Sequence, residues 1–233
     1  MFWFKSKKVI IDCYTWNQML IDEYSIKRAI KHTPSWWQDL PPAVYMKTDN
    51  FKSVSPTTKK CPGFIDLYTR SWMIPSWSDM LITTTEIGEV ACSFPSESYL
   101  PGSIPHPTFQ FKGGFKDYIH LKLRSPWICI DRNRTNTKFA YVGATWSLLD
   151  DVKHFNVLPG VLDFTYNMGS HLNIFLPKMD AEYSIRAGTP LVHLIPLTDE
   201  KVEFKNHRVS KLELGSLEEK YSPRNYNKFF KGA

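Results

Sequence analysis

The 233-residue chain has no C-x-x-C pair, no nucleophile elbow, no P-loop and no dinucleotide-binding fingerprint, which removes the commonest signatures of redox, acyl-transfer and nucleotide-dependent enzymes. Its four cysteines, Cys13, Cys61, Cys92 and Cys129, stand far apart. That spacing disfavours a zinc ribbon, a thioredoxin-like site or a secreted disulfide scaffold and fits synthesis in a reducing cytoplasm. The first eight residues, MFWFKSKK, are basic and aromatic but contain no apolar h-region, and no run approaches bilayer-spanning length. A soluble protein without membrane association is therefore expected. Repeats, low-complexity tracts and long linkers are also missing.

A net charge of +6 is present, but Lys and Arg fall in small groups (Lys5/Lys7/Lys8, Lys59/Lys60, Arg132/Arg134 and the last dozen residues). Scattered in this way they describe a solvated surface, and they argue against a nucleic-acid groove. Aromatic residues make up 15% of the chain, which points to a well-packed core and to oligomer interfaces before it points to nucleotide stacking.

The local patterns are those of a mainly β protein. KVIIDCY, Lys8 to Tyr14, is a β-branched run that reads as a strand. Asn17 to Lys31 places Leu20, Tyr24, Ile26 and Ile30 near helical period and predicts an N-terminal helix. HTPSWWQDLPP sets Trp36 and Trp37 between prolines, predicting an aromatic plug across a core edge without regular structure. Seven prolines between Val54 and Pro107 leave little room for helices. There, CPGFIDLYTRSWMIPSW reads as a turn, a short element and an edge strand, MLITTTEIGEVACSF as two strands joined near Gly88, and SESYLPGSIPHPTFQFKGG as a loop.

In DYIHLKLR, Ile119, Leu121 and Leu123 alternate with His120, Lys122 and Arg124, the period of a strand with one face in a core. WICI and FAYVGATWSLL predict further strands around a polar DRNRTNTK turn. LPGVLDFTYNMGSHLNIFLP and YSIRAGTPLVHLIPL together predict three more, and Val209 to Phe230 predicts one or two helices broken at Gly215 and Pro223. The reading is one domain over 1–233, with a mixed portion 1–50, a β core 51–207 and a helical or extended tail 208–233. Its expected class is mainly β, an antiparallel sandwich, jelly roll or β-clip-like core.

Two constellations carry chemistry. The row His120, Lys122, Arg124 and the adjoining Ser125 has the composition to hold a phosphate or carboxylate, against the plainer reading of a solvated or interface face. His120, His171 and His193 all fall on predicted strands, where a cupin-like barrel gathers metal ligands. Cupin spacing, an H-x-D pair and an accompanying glutamate are all missing, so no metal and no cofactor is expected.

The array Gly160, Asp163, Tyr166 in GVLDFTY resembles the G-x-I-D-x-x-Y segment of dUTP pyrophosphatases, and YSIRAGTPLVHLIPL is similar to their later strand pair. The resemblance implies that Asp163 would help to activate water and that Tyr166 would lie beside a base, with Arg124 and Ser125 of LRSPW as the phosphate-contacting pair. Met168 and His193 depart from the pattern, no A-G-x-D-L segment is present, and YSPRNYNKFFKGA is not the Gly-rich arm that closes over phosphates.

A longer resemblance runs through DCYT, TPSWWQDLPP, CPGFIDLYTRSWMIPSWSD, YIHLKLRSPW, LPGVLDFTYNMGSHLNIF and IRAGTPLVHLIPLT, which are similar to a family of uncharacterised proteins of tailed, marine myovirus-like bacteriophages. It implies a non-enzymatic phage protein: a virion or assembly component, or a binder of a host target. Such a protein would work as a homo-oligomer or with other phage or host proteins, in the host cytoplasm or within the particle. The alternative expectation is a dUTPase-like domain that binds or hydrolyses a nucleotide.

Overall fold

Val9, Ile11 and Cys13 of the first β-branched run are buried, and the alternation places Asp12 and Tyr14 on the opposite face. The computed structural model describes residues 8–48, 51–95, 103–105, 115–147, 155–166 and 169–220. In chain order the strands are β1 (Val9–Thr15), β2 (Lys27–Arg28), β3 (Ala43–Thr48), β4 (Phe51–Pro56), β5 (Trp72–Pro75), β6 (Met80–Thr84), β7 (Val90–Ser93), β8 (Ser103–Pro105), β9 (Tyr118–Leu123), β10 (Ile128–Asp131), β11 (Lys138–Gly143), β12 (Asn156–Val157), β13 (Gly160–Asp163), β14 (Leu172–Pro177), β15 (Ala181–Ile185), β16 (Pro190–Pro196) and β17 (Val202–Arg208). Among the described residues four α-helices accompany them: α1 (Gln18–Asp22), α2 (Ser35–Asp39), α3 (Pro62–Arg70) and α4 (Lys211–Lys220).

The protein is mainly β, as its periodicities predict. The strands form sheets of order β10-β1-β17, β13-β11-β16-β5-β2, β12-β14-β9-β8 and β15-β6-β7, plus the two-stranded β3-β4 hairpin. Among the described residues every pairing is antiparallel except β1 with β17, which joins the first described strand to the last in parallel. One core takes side chains from four of these sheets, among them Ile11, Ile74, Ile82, Leu121, Phe139, Ile174, Leu194 and Phe204. Trp77 and Trp127 are buried within it. A smaller cluster, Phe64, Tyr68, Met73, Ala29 and Ala144, packs against Trp36 and Trp37.

Several local expectations change in the folded chain. The helix predicted from Asn17 stops at Asp22, because Ile26 turns into the core and Lys27–Arg28 pair with Trp72 and Met73. The tryptophan pair adopts a short helix, α2, and does form the expected plug: Trp37 stacks on Phe64 at 5.1 Å and Trp36 meets it edge-on at 5.7 Å. Pro62 opens α3, where proline's missing N–H costs nothing, and its Phe64 and Tyr68 share one buried face four residues apart.

Strand β5, expected at an edge, lies between β16 and β2. The β6–β7 turn falls where predicted, with Gly88 at φ +91°. Ser103–Pro105, expected as loop, pairs with β9 as strand β8; the rest of that predicted loop, with Gly113 and Gly114, lies outside the described residues. The two late segments form four strands, β13 to β16. Helix α4 runs through Gly215, where a break is expected; a capping box in which Ser210 Oγ accepts from the Glu213 amide and Glu213 Oε2 accepts from the Ser210 amide holds its start. Pro223 and the final YSPRNYNKFFKGA lie outside the described residues.

Candidate functional site

The basic row of β9 divides into two environments. His120 stands opposite Phe175 of β14, ring centroids 5.4 Å apart and edge-on, and Phe175 also meets Phe115 at 4.5 Å and Tyr118 at 5.8 Å. His120 therefore belongs to an aromatic cluster. Lys122 and Arg124 instead face His171. Burial, then the Lys122 charge, then the Arg124 charge lower the His171 pKa to about 4, while burial and Arg124 lower that of Lys122. None of the ion pairs among the described residues engages Lys122 or Arg124. The pair is a cationic spot, half-buried at Lys122 and exposed at Arg124.

Ser125 is buried beside it. Its hydroxyl accepts from the Trp127 amide at 3.2 Å and from Ser170 Oγ at 2.8 Å, and its own amide donates to His171 Nδ1 at 3.1 Å. These bonds fix the turn between β9 and β10 and leave His171 protonated on Nε2, packed over Gly169.

Asp163 ends β13, paired with Lys138 of β11. Its Oδ1 accepts from the Thr165 amide at 2.9 Å and its carbonyl from the Tyr166 amide at 3.1 Å, so the side chain closes an Asx turn. Asp163 lies in the five-stranded sheet, whereas Arg124 follows a strand of the four-stranded one. The cleft beside Thr165 is lined by neither of them, nor by Tyr166.

That cleft, about 240 Å3, lies over a polar network centred on Asp12 and Asp131. Asp12, 3% exposed, accepts a bidentate pair from Arg132 (Nε 2.5 Å, Nη2 2.6 Å) and a hydrogen bond from His207 Nε2 at 2.7 Å. The Tyr14 ring stacks on His207 at 5.0 Å. Hydrogen bonds to Asp12, and its charge, hold Arg132 still more firmly protonated. Next to it Asp131, also buried, accepts from the Asn133 and Thr135 amides and from Thr135 Oγ1. Composition and motif spacing do not single this network out. Its one sequence signal is an aspartate inside the apolar run VIIDCY, which demands a buried partner.

In chemical terms the network is a clasp, tying the turn 132–137 and β17 to β1. An Asp–His pair can orient a general base, but here the carboxylate is already neutralised by Arg132. His193, the third histidine of the metal constellation, lies in β16 with Nδ1 2.9 Å from Ser71 Oγ. The three histidines occupy separate environments, and no group of three or more metal-ligating side chains occurs among the described residues.

A larger open cleft of about 660 Å3 is lined by Arg28, Thr69, Arg70, Trp72, Asp199 and Glu203, among others. Its charges are mixed and largely mutual: Arg70 Nη2 lies 3.2 Å from Asp199, Lys8 pairs with Glu203, and Arg28 covers the Trp72 ring while donating to the Thr69 carbonyl.

The β3–β4 hairpin exposes several apolar side chains. Tyr45 (85% exposed) stands opposite Val54 (58%) on one face, and Val44 and Met46 are exposed on the other. Lys47 and Lys52 are register partners beyond the Tyr45–Val54 pair. The hairpin's base is rigid: the Thr57 amide donates to the Pro42 carbonyl, Trp37 Nε1 donates to the Thr58 carbonyl, and Lys59 Nζ donates to the carbonyls of Trp37 and Gln38. The aromatic plug thus anchors an arm that belongs to no larger sheet among the described residues. No helix among the described residues is long and apolar enough to cross a membrane. Compared with known proteins, the chain matches no family model, no curated protein and no solved structure.

Proposed function

We propose that this chain is a non-catalytic β protein that works by assembling with further copies of itself, as a structural or assembly component of a bacteriophage particle. The β3–β4 arm carries the reading. An isolated two-stranded hairpin is marginal in water, and apolar side chains exposed on both of its faces gain most by being covered. A second copy supplies a matching surface at the β6–β7 turn. There Ile87 is exposed between Glu86 and Glu89, and Lys178 lies over Gly88. Lys47, exposed near the end of the arm, and this acidic, apolar edge are complementary in charge and chemistry, and β7 lies at one side of its sheet among the described residues. The phage assignment rests on the sequence resemblance, with synthesis in the host cytoplasm.

Size-exclusion chromatography with light scattering tests the assembly. The parent chain is expected to be oligomeric and the double variant Tyr45→Lys/Val54→Lys monomeric with unchanged circular dichroism. A parent that stays monomeric at tens of micromolar sinks the assembly reading, and absence from purified particles sinks the particle role.

One observation favours a second reading, nucleotide binding: Lys122 and Arg124 form a cationic spot without an ion-pair partner among the described residues. Nucleoside triphosphates would then raise the melting temperature, and Lys122→Met/Arg124→Met would abolish the shift. No shift across a nucleotide panel removes this alternative.

A further inference from the structure

Two cysteines 116 positions apart in the sequence meet in the sheet. Cys13 of β1 and Cys129 of β10 are register partners, both 0% exposed, with their Sγ atoms 3.2 Å apart. The other two cysteines are elsewhere: Cys61 is exposed before α3 and Cys92 is on β7. The Arg132 amide donates to the Ile10 carbonyl. In this register Ile10–Arg132 is therefore a hydrogen-bonded pair, and the antiparallel alternation makes Cys13–Cys129, three positions along, a non-hydrogen-bonded pair. Side chains at such pairs stand closest, with Cα atoms about 4.5 Å apart, inside the roughly 4.4–6.8 Å range that a disulfide spans. Neither thiol serves the Asp12 network, which lies on the other face of β1.

We infer that Cys13 and Cys129 form a redox-closable crosslink between β1 and β10, left as two thiols in a reducing compartment and closed to a disulfide by a low-molecular-weight disulfide in an oxidising one. The chemistry balances as two exchanges. The thiolate of one cysteine attacks a sulfur of the small disulfide, expelling one small thiolate and leaving a mixed disulfide. The second cysteine's thiolate then attacks the protein-bound sulfur and expels the other. Two electrons pass to the small disulfide, the two thiol protons go to the expelled thiolates, and the protein loses two hydrogens.

Full burial sets the kinetics. Burial, then the hydrogen bond and charge of Cys129, then the charge of Asp12, raise the Cys13 pKa well above the ordinary thiol value, so folded Cys13 offers little thiolate, and the burial of both side chains leaves no path for an oxidant. Closure belongs to the folding chain, or to states in which β10 has opened from β1. Once formed, the bridge is shielded from reductant by the same packing. A chain folded in a reducing cytoplasm carries thiols, and one that refolds or opens outside the cell becomes locked.

The test uses the full chain, refolded from denaturant either in a glutathione/glutathione-disulfide buffer or fully reduced. Free thiols are then alkylated under denaturing conditions and the peptides mapped by mass spectrometry without reduction. The expected product of oxidative refolding is a Cys13–Cys129 crosslinked peptide, two hydrogens lighter than its reduced parts, with Cys61 and Cys92 alkylated. Closing a loop of this length should raise the melting temperature over the reduced protein by roughly 10 °C, and the exposed-site variant Cys61→Ser should leave crosslink and shift unchanged. Full alkylation of Cys13 and Cys129 after oxidative refolding would overturn the inference, as would pairing of either with Cys61 or Cys92.

Discussion

Mild acid should destabilise this protein through one buried imidazole, His193. The side chain is 0% exposed. Ser71 Oγ donates to the Leu67 carbonyl, so its lone pair is free to accept from His193 Nδ1–H at 2.9 Å. The unprotonated Nε2 then lies buried without a hydrogen-bond partner, beside the edge-on Tyr68 ring at 5.0 Å. A proton on Nε2 would put an unsolvated charge there. Burial, then the nearby His32, accordingly lower the His193 pKa from 6.5 to about 4. The unfolded chain takes up this proton below pH 6.5, whereas the folded chain resists until about pH 4, so stability falls as pH drops through that window and the loss levels off beneath it. At about 1.4 kcal/mol per pH unit of separation, His193 accounts for about 2 kcal/mol of loss by pH 5 and about 3 kcal/mol at the bottom of the window. Urea unfolding followed by tryptophan fluorescence at pH 7 and pH 5, on the parent chain and His193→Gln, isolates the effect from the carboxylates. The parent should lose about 2 kcal/mol more than the variant between the two pH values. Equal losses, or an imidazole whose NMR titration in the folded protein centres near 6.5, would refute the reasoning.

His171 offers a charge-dependent counterpart. Because Lys122 and Arg124 help burial to depress its pKa, Lys122→Met should move its NMR titration midpoint upward from about 4, and high salt should do the same in the parent chain. At the Asx turn, Asp163→Ala removes the acceptor for the Thr165 amide and should cost about 1 kcal/mol in chemical denaturation. Asp163→Asn keeps that oxygen and should stay within about 0.5 kcal/mol of the parent; an equal loss in both variants would mean the carboxylate charge, not the cap, matters. Phe64→Ala opens a cavity between Trp37 and Tyr68, whose rings lie 5.1 and 4.7 Å from it. The cost should be about 4 kcal/mol, with hydrogen exchange in β3 and β4 rising more than in β1, because the plug anchors the arm.

Periodicity by itself determined the β class and individual strands. The alternation in DYIHLKLR put Ile119, Leu121 and Leu123 in the core, where all three are buried, and Gly88 marked its turn because a residue at φ +91° favours a missing Cβ. Local patterns of this kind depend on near neighbours, so a linear reading reaches them. What the patterns could not convey is which distant strand each one meets. The register of β1 with β10 and β17 brings Asp12 to Arg132 and His207, and Cys13 to Cys129. The same sheet order sets Asp163 at the end of β13 in the five-stranded sheet and Arg124 just after β9 of the four-stranded one. Non-local pairing also cut short the helix predicted from Asn17, since Lys27–Arg28 gain backbone partners on β5 and Ile26 gains burial. The sequence thus specified which residues are apolar and how each segment alternates. Tertiary structure alone decided which polar side chains must share a buried space, because that depends on sheet order, and sheet order is set by the summed burial of the whole chain.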